Sequence, residues 1–112
     1  MKAIDIRNYD TQITIKDEDG ATVPQMVPYE VTSSLINLLF ASPNLSALEL
    51  LARDDVARKI RDCQLDSVSL EENEYVLLKT AVEVFKGYRQ NDLELVKRVL
   101  FAQTVDPNQK KA

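Results

Sequence analysis

The chain has no histidine, no tryptophan and a single cysteine among its 112 residues. Histidine is the commonest general base and metal ligand near neutral pH, so its absence removes the usual centre of hydrolytic and metal chemistry. A lone Cys63 cannot form an internal disulfide, which is typical of a protein from a reducing compartment. We therefore expect no catalysis and no cofactor, although a small enzyme that uses carboxylates or Cys63 stays as an alternative.

An excess of positive charge is absent as well. The chain carries 14 Lys and Arg against 18 Asp and Glu, a net charge of −4. Nucleic-acid-binding and membrane-surface proteins usually present an uncompensated positive field, so we expect neither partner. The one local basic concentration is interleaved with aspartates and predicts i, i+4 ion pairs such as Asp54–Arg58 and Asp55–Lys59. Its members are Arg53, Arg58, Lys59 and Arg61.

Long apolar runs are missing too. The longest uncharged stretch, residues 31–48, is interrupted by serines, asparagines and Pro43, so it does not predict a membrane span. The first residues, Met1 to Asp5, contain no apolar segment behind their single lysine and do not predict a targeting signal. The sequence thus predicts a cytoplasmic protein.

The first thirty residues have the alternating pattern of β-strands. Apolar and polar side chains alternate over residues 4–7 and again over 13–16, which is typical of strands with one buried face. Asp19-Gly20 is a strong hairpin signal, and residues 21–23 form the return strand, which Pro24 and Pro28 either stop or place at a sheet edge. We predict a three-stranded antiparallel meander here.

Two acidic clusters invite a functional interpretation. Asp17-Glu18-Asp19-Gly20 resembles part of a calcium loop, but the twelfth position, where an EF-hand needs a bidentate glutamate, is Pro28. The glutamates within residues 71–74 lie where a helix begins. Negative charge at that position interacts favourably with the positive end of the helix dipole. We interpret the first cluster as a solvated turn and the second as a helix start.

Helical spacing dominates after residue 29. The first predicted helix ends at Ser42-Pro43, and the second begins at a Ser46-to-Glu49 capping box and ends near Cys63. The third begins at a second capping box headed by Ser69 and ends before Gly87 as its C′ residue, and the last begins at Asn91. Strands followed by helices predict one α+β domain over residues 1–105, with a polar tail at 106–112.

The first helix is unusually apolar. Five of the six residues from Leu35 to Phe40 are apolar, more than a small sheet alone can cover. This helix is either the centre of the domain or in contact with another chain. The candidate interface is Leu35, Ile36, Leu39 and Phe40. If the helix contacts another chain, its partner can be a second copy, and unpaired strand edges favour the same association. We therefore predict a homo-oligomer, with a dimer favoured.

Five segments give the chain a recognisable pattern. They are YEVTSSLINLLF (29–40), ELLAR (49–53), VARKI (56–60), LEENEY (70–75) and NDLELVKRV (91–99). Together they resemble small uncharacterised proteins encoded by bacteriophages and prophages, and the likeness covers most of the chain. The resemblance implies phage assembly or phage–host interaction and transfers no catalytic residue.

Two functions from different classes follow. The first is a non-enzymatic interaction or assembly protein that self-associates and contacts an unknown phage or host protein. The alternative is a nucleic-acid-associated regulator whose helix-turn-helix spans residues 46–86. The acidic total and the long connection from Gln64 to Ser69 count against the alternative, because a compact turn of three or four residues is expected.

Overall fold

A computed structural model describes residues 1–105, and within that range it contains five strands, four α-helices and one 3₁₀ turn. The strands are β1 (Lys2–Asp5), β2 (Tyr9–Lys16), β3 (Thr22–Tyr29), β4 (Ser67–Leu70) and β5 (Gln103–Thr104). The helices are α1 (Val31–Phe40), α2 (Ala47–Asp62), α3 (Glu72–Val84) and α4 (Leu93–Leu100), with the 3₁₀ turn at Gln90–Asp92. The α+β class is confirmed. The predicted tail at 106–112 lies outside the described residues.

The strands form two separate sheets. β1 lies between β4 and β5 in a three-stranded antiparallel sheet, and β2 pairs only with β3 in an antiparallel hairpin. The three N-terminal strands therefore exist, but β1 does not continue the hairpin as a meander would. Its Ile4 is buried opposite Val68, so β1 is paired with the later strand and both side chains belong to the core.

The second helix begins as its sequence predicts. Ser46 is the N-cap of α2, and its hydroxyl accepts a hydrogen bond from the Glu49 N–H at 3.2 Å. The helix ends at Asp62, with Cys63 as the C-cap. The Ser46 side chain thus satisfies one of the backbone donors that a helix start leaves unpaired.

The third helix begins and ends at other residues than predicted. Ser69 is part of β4, so the N-cap is Glu71, whose N–H donates to Glu74 Oε1 at 2.9 Å. At the other end the C-cap is Phe85, in an extended conformation. Gly87 has a φ of +118° but lies two residues beyond that cap, so it turns the connection to α4 and is not the C′ residue.

The start of the last helix also differs from the prediction. Asn91 lies inside the 3₁₀ turn, and Asp92 is the N-cap of α4. Asp92 Oδ2 accepts the Arg89 N–H at 2.8 Å, which closes this turn. The carboxylate, one residue later than the predicted amide, therefore organises the entry to α4.

The core lies between the three-stranded sheet and the helices, with α1 at its centre. Val31, Leu35 and Leu39 of α1 are fully buried, and α1 packs against both α2 and α3. The largest fully buried side chains from the other elements are Ile4, Val56, Ile60, Leu70, Leu78, Val82, Leu95 and Val99. One connected apolar core therefore joins all four helices to the sheet.

Arg53 is buried although the helical pattern places it on a polar face. Only 6% of the residue is exposed, and its Nη1 donates to the Leu39 carbonyl at 2.8 Å and to Ser42 Oγ at 3.2 Å. The last turn of α1 contains no basic residue of its own. Arg53 supplies positive charge there, which favours the negative end of the α1 dipole.

The molecule is elongated for its size. Its radius of gyration is 16.2 Å, against about 13 Å for a compact domain of this length. The principal extents are 56 × 43 × 22 Å. No helix within residues 1–105 is long and apolar enough to cross a membrane.

Candidate interaction site

The two longest strands, β2 and β3, form a hairpin over residues 9–29, which we call the arm. Its ladder runs without a bulge from Tyr9 opposite Tyr29 to Lys16 opposite Thr22. Eight residues at about 3.3 Å each give strands of roughly 26 Å. Apart from the chain that continues from it, the main neighbour of the arm is the 3₁₀ turn beside β2. Most of the arm therefore extends away from the core.

The tip of the arm is the predicted acidic turn. Asp17 Oδ1 accepts the N–H groups of Asp19 at 3.0 Å and Ala21 at 2.9 Å, and Gly20 has a φ of +78°. The aspartate and the glycine are thus used to close the turn. Within residues 1–105 no group of three His, Cys, Asp or Glu side chains is placed to hold a metal ion.

The two faces of the arm differ in character. Residues opposite one another in a ladder share a face, so the odd-numbered side chains of both strands lie together. That face carries Ile13, Ile15, Val23 and Val27. Ile15 is 37% exposed and the other three are half-buried. The opposite face is exposed and carries Gln12, Thr14, Lys16, Pro24, Met26 and Pro28. The arm thus presents an apolar face that is covered near its base, where Thr11 is 9% exposed, and is open towards its tip at Ile15.

The base of the arm is held by a pair of tyrosines. The rings of Tyr9 and Tyr29 stack with centroids 4.7 Å apart and planes 12° from parallel. The Tyr29 hydroxyl donates to the Asp92 carboxylate, and the Tyr9 hydroxyl donates to the Asn91 carbonyl at 2.7 Å. Arg98 lies over the Tyr9 ring at 5.0 Å from its centroid. The arm is therefore anchored to the start of α4.

Burial raises the pKa of Tyr29 well above its usual range, and the hydrogen bond to Asp92 raises it further. Burial also raises the pKa of Tyr9. Both hydroxyls therefore keep their protons near neutral pH and remain donors. A titration of either tyrosine does not release the arm under ordinary conditions.

Arg98 connects α4 to the segment between β1 and the arm. Its Nη1 donates to the carbonyls of Asp5 at 3.3 Å and Arg7 at 2.6 Å, and its Nη2 lies 3.3 Å from Glu94. The side-chain hydrogen bond from Arg7 is the main cause that lowers the pKa of Asp5 to about 2, with Arg98 assisting and burial opposing. These contacts fix the direction in which the arm leaves the core.

The predicted interface residues of α1 are divided by the structure. Leu35 and Leu39 are fully buried in the core of the chain itself, which makes them unavailable to a partner. Ile36 is half-buried, and Phe40, at the end of the helix, is 39% exposed. The apolar character of the helix is explained by its central position, so the candidate interaction surface shifts from α1 to the arm.

The basic segment of α2 is paired with acids. Arg58 Nε lies 2.9 Å from Asp54 Oδ2, as the i, i+4 spacing predicts. Lys59 does not pair with Asp55 but donates to Glu74 Oε1 of α3 at 2.7 Å. Burial opposes ionisation of Glu74, but its hydrogen bonds from Lys59 and Glu71 lower its pKa overall. The lysine thus connects two helices and is not left for a polyanion.

A helix-turn-helix arrangement is not formed by α2 and α3. Residues 63–71 separate the two helices and contain β4, which is paired with β1. The motif requires a short turn between helices that cross at a large angle. The geometry therefore does not favour the nucleic-acid alternative.

Cys63 lies at the end of α2 beside β4. It is half-buried, and its Sγ donates weakly to the Ser67 carbonyl at 3.4 Å. This position agrees with the interpretation of a structural thiol. The glutamates at the start of α3 serve the helix start and the Lys59 ion pair, so these acids do not face one another across a cleft.

One cavity of about 230 Å³ adjoins the base of the arm. It lies between α1 and the segment that connects α3 to α4, with Tyr29, Phe85 and Tyr88 in its wall. The Tyr88 hydroxyl donates to the Val82 carbonyl at 2.7 Å, and burial raises the pKa of Tyr88 to about 12. The hydroxyls of both tyrosines in its wall are therefore already paired within the chain.

No family model, curated protein or solved structure matches this chain. We therefore infer a function from the geometry of the described residues. Sequence reasoning identified the hairpin but did not predict that its apolar face is partly exposed, because the alternation of Ile13 and Ile15 is the same whether a strand faces a core or solvent. The sequence did contain one relevant signal, since it offers no further apolar strand that could cover this face of the hairpin.

Proposed function

We propose that the chain is a non-enzymatic assembly protein that works by contact with other proteins. It associates with copies of itself and uses the arm to hold a further protein. The observation that carries this proposal is the partly exposed apolar face of the arm, which is anchored at its base and is most open at Ile15.

The energetics of the arm support a contact role. An isolated two-stranded hairpin is marginally stable in water, and stable sheets pack one face against an apolar surface. A strip of roughly 26 by 10 Å is about 250 Å². Covering its apolar part would contribute a few kcal/mol at about 25 cal/mol per Å². A partner that covers this face therefore completes a packing arrangement that the chain alone leaves open.

The nature of the partner follows from the surface. The face is mainly branched aliphatic, with Gln25 opposite Ile13, and the tip is acidic, with Asp17, Glu18 and Asp19 together. A complementary protein surface would be apolar with basic residues at one end. The phage setting rests on the sequence resemblance alone. If that setting is correct, the partner is a phage or host protein.

The arm is tested with paired variants. Ile13→Ser with Ile15→Ser changes the apolar face, and Gln12→Ser with Thr14→Ser changes the opposite face of the same strand. Each variant and the natural chain serve as bait in a lysate of phage-infected bacteria. We expect the natural chain and the opposite-face control to retain the same proteins, and the apolar-face variant to lose them.

The same variants are compared as purified proteins. Because the face is open towards its tip, we expect the apolar-face variant to keep its fold and its oligomeric mass. Retention of identical proteins by all three baits would refute a contact role for this face. Loss of the fold in the apolar-face variant would show that the face packs within the chain.

A further inference from the structure

β4 is an edge strand whose outer side is open. The Ile6 N–H donates to the Asp66 carbonyl at 2.9 Å, and hydrogen-bonded pairs alternate along an antiparallel ladder. Val68, two residues after Asp66, therefore directs its N–H and C=O groups towards β1 in the same way. Ser67 and Ser69, the residues between, direct their N–H and C=O groups away from β1.

These outward groups are largely unpaired. The Ser67 carbonyl receives only the weak thiol hydrogen bond from Cys63 at 3.4 Å. The Ser67 N–H and both backbone groups of Ser69 have no hydrogen-bond partner within residues 1–105. An unpaired edge is a template for another strand unless charge, proline or a bulge protects it. The sequence of β4, Ser-Val-Ser-Leu, contains neither charge nor proline.

The other edges are less suited to strand addition. The Asp17 N–H donates to the Ala21 carbonyl, so even-numbered residues of the arm direct their backbone outward by the same alternation. Pro24 and Pro28 remove the donors at two of these positions on β3. The outer side of β2 lies beside the 3₁₀ turn, and β5 has only two residues. Among the described strands, β4 is the one with an open and unprotected edge.

A groove of about 500 Å³ runs along this edge. One wall is β4 and the other is the C-terminal part of α2, from Arg58 to Cys63. Leu65, in the connection between them, is 75% exposed. Four residues of extended chain are about 13 Å long. The groove can therefore receive one further short strand, and that strand would cover the exposed Leu65.

We propose that the occupant of this groove is β4 of a second copy, paired antiparallel across a two-fold axis at Val68. This inference rests on the proposed self-association and specifies how it occurs. Ser67 of each copy then lies opposite Ser69 of the other, and the two pairs exchange four backbone hydrogen bonds. The two three-stranded sheets join into one sheet of six strands.

Self-complementarity and size favour a second copy. An antiparallel pair centred on one residue presents the same groups from both sides, which is what a two-fold interface requires. α2 has 16 residues and the molecule is 22 Å thick. A contact that follows the whole of α2 and the full thickness of the molecule would cover at most roughly 500 Å² on each copy, or about 1,000 Å² in total, the lower bound for a specific interface. The arms, in a separate sheet, stay free for two partners.

A proline substitution tests the pairing. Ser69→Pro removes an outward N–H and leaves the hydrogen bonds to β1 intact, whereas Ser69→Ala keeps the N–H and removes only the hydroxyl. By light scattering we expect the natural chain and Ser69→Ala to be dimers and Ser69→Pro to have half their mass. A natural chain that is monomeric would overturn the self-association of the proposed function and this pairing together. A dimer that survives Ser69→Pro would overturn the β4 pairing alone.

Cysteine cross-linking tests the register without a proline. In a Cys63→Ser background, one chain carries Ser67→Cys and another carries Ser69→Cys. The two sites lie directly opposite in the proposed pair, whereas two copies of either variant place their thiols diagonally, about 7–8 Å apart. Under mild oxidation we expect fast disulfide formation in the mixture and slow formation in each variant alone. Equal rates in all three samples would contradict the proposed register.

Discussion

The hydroxyl of Tyr29 links the arm to the core through a charged acceptor. Tyr29 is 9% exposed, and its hydroxyl donates to the Asp92 carboxylate. Replacement by phenylalanine keeps the ring stack with Tyr9 and removes only this bond. Hydrogen bonds to charged groups contribute about 1.5–3 kcal/mol, and neutral ones about 0.5–1.5 kcal/mol.

We expect Tyr29→Phe to lower the free energy of unfolding by about 1–2 kcal/mol, because Asp92 is half-buried and keeps its bond from the Arg89 N–H. Tyr9→Phe is the matched control, since its hydroxyl donates to a neutral carbonyl. Its cost should be smaller. Urea unfolding of the two variants and the natural chain measures both costs.

Hydrogen exchange adds a local readout. Loss of the Tyr29 bond weakens the anchor, so we expect the arm amides to exchange faster by a larger factor than the amides of α1. If Tyr29→Phe costs no more than Tyr9→Phe and leaves arm exchange unchanged, the reasoning that Asp92 anchors the arm is refuted.

Four further predictions follow from the core and the charges. Leu78→Ala, at a fully buried site, should cost about 2–5 kcal/mol, whereas the exposed Glu83→Ala should leave the urea midpoint nearly unchanged. Because the pKa of Asp5 is lowered from 3.8 to about 2, its contribution is complete above about pH 5 and is lost as the pH falls towards 2. Asp5→Asn should therefore flatten the acid limb of the stability curve, by at most about 1 kcal/mol since the side chain is about one-third exposed. Arg53→Ala should cost about 1–3 kcal/mol in urea unfolding, because the Leu39 carbonyl loses its donor in a buried site. Gel-shift assays at physiological salt should show no nucleic-acid complex below roughly micromolar protein, and tight sequence-dependent binding would contradict this.

Local sequence signals predicted the elements that depend on neighbouring residues. The Asp19-Gly20 turn specifies the hairpin, and the Ser46 hydroxyl specifies the start of α2. The apolar spacing of residues 31–39 specifies a helix with a wide buried face. Each of these depends on contacts within a few residues, which a sequence pattern records directly.

Contacts between distant residues were not predictable in the same way. β4 depends on pairing with β1, more than sixty residues earlier, and its last two residues, Ser69 and Leu70, overlap what resembles a helix capping box. A sequence pattern assigns Arg53 to the polar, solvent-facing side of its helix. Its side chain is nevertheless buried and donates to the Leu39 carbonyl at the end of α1. The exposure of the arm likewise follows from tertiary placement, because one alternating pattern suits a covered and an uncovered strand.

The mass of the purified chain in solution, measured by light scattering over a wide dilution range, tests the account most directly. A protein that works by contact and pairs its β4 edge with a second copy should have twice the 12.7 kDa mass of the single chain at micromolar concentration. It should return to the single-chain mass only on strong dilution. A mass of 12.7 kDa at every concentration would contradict the account.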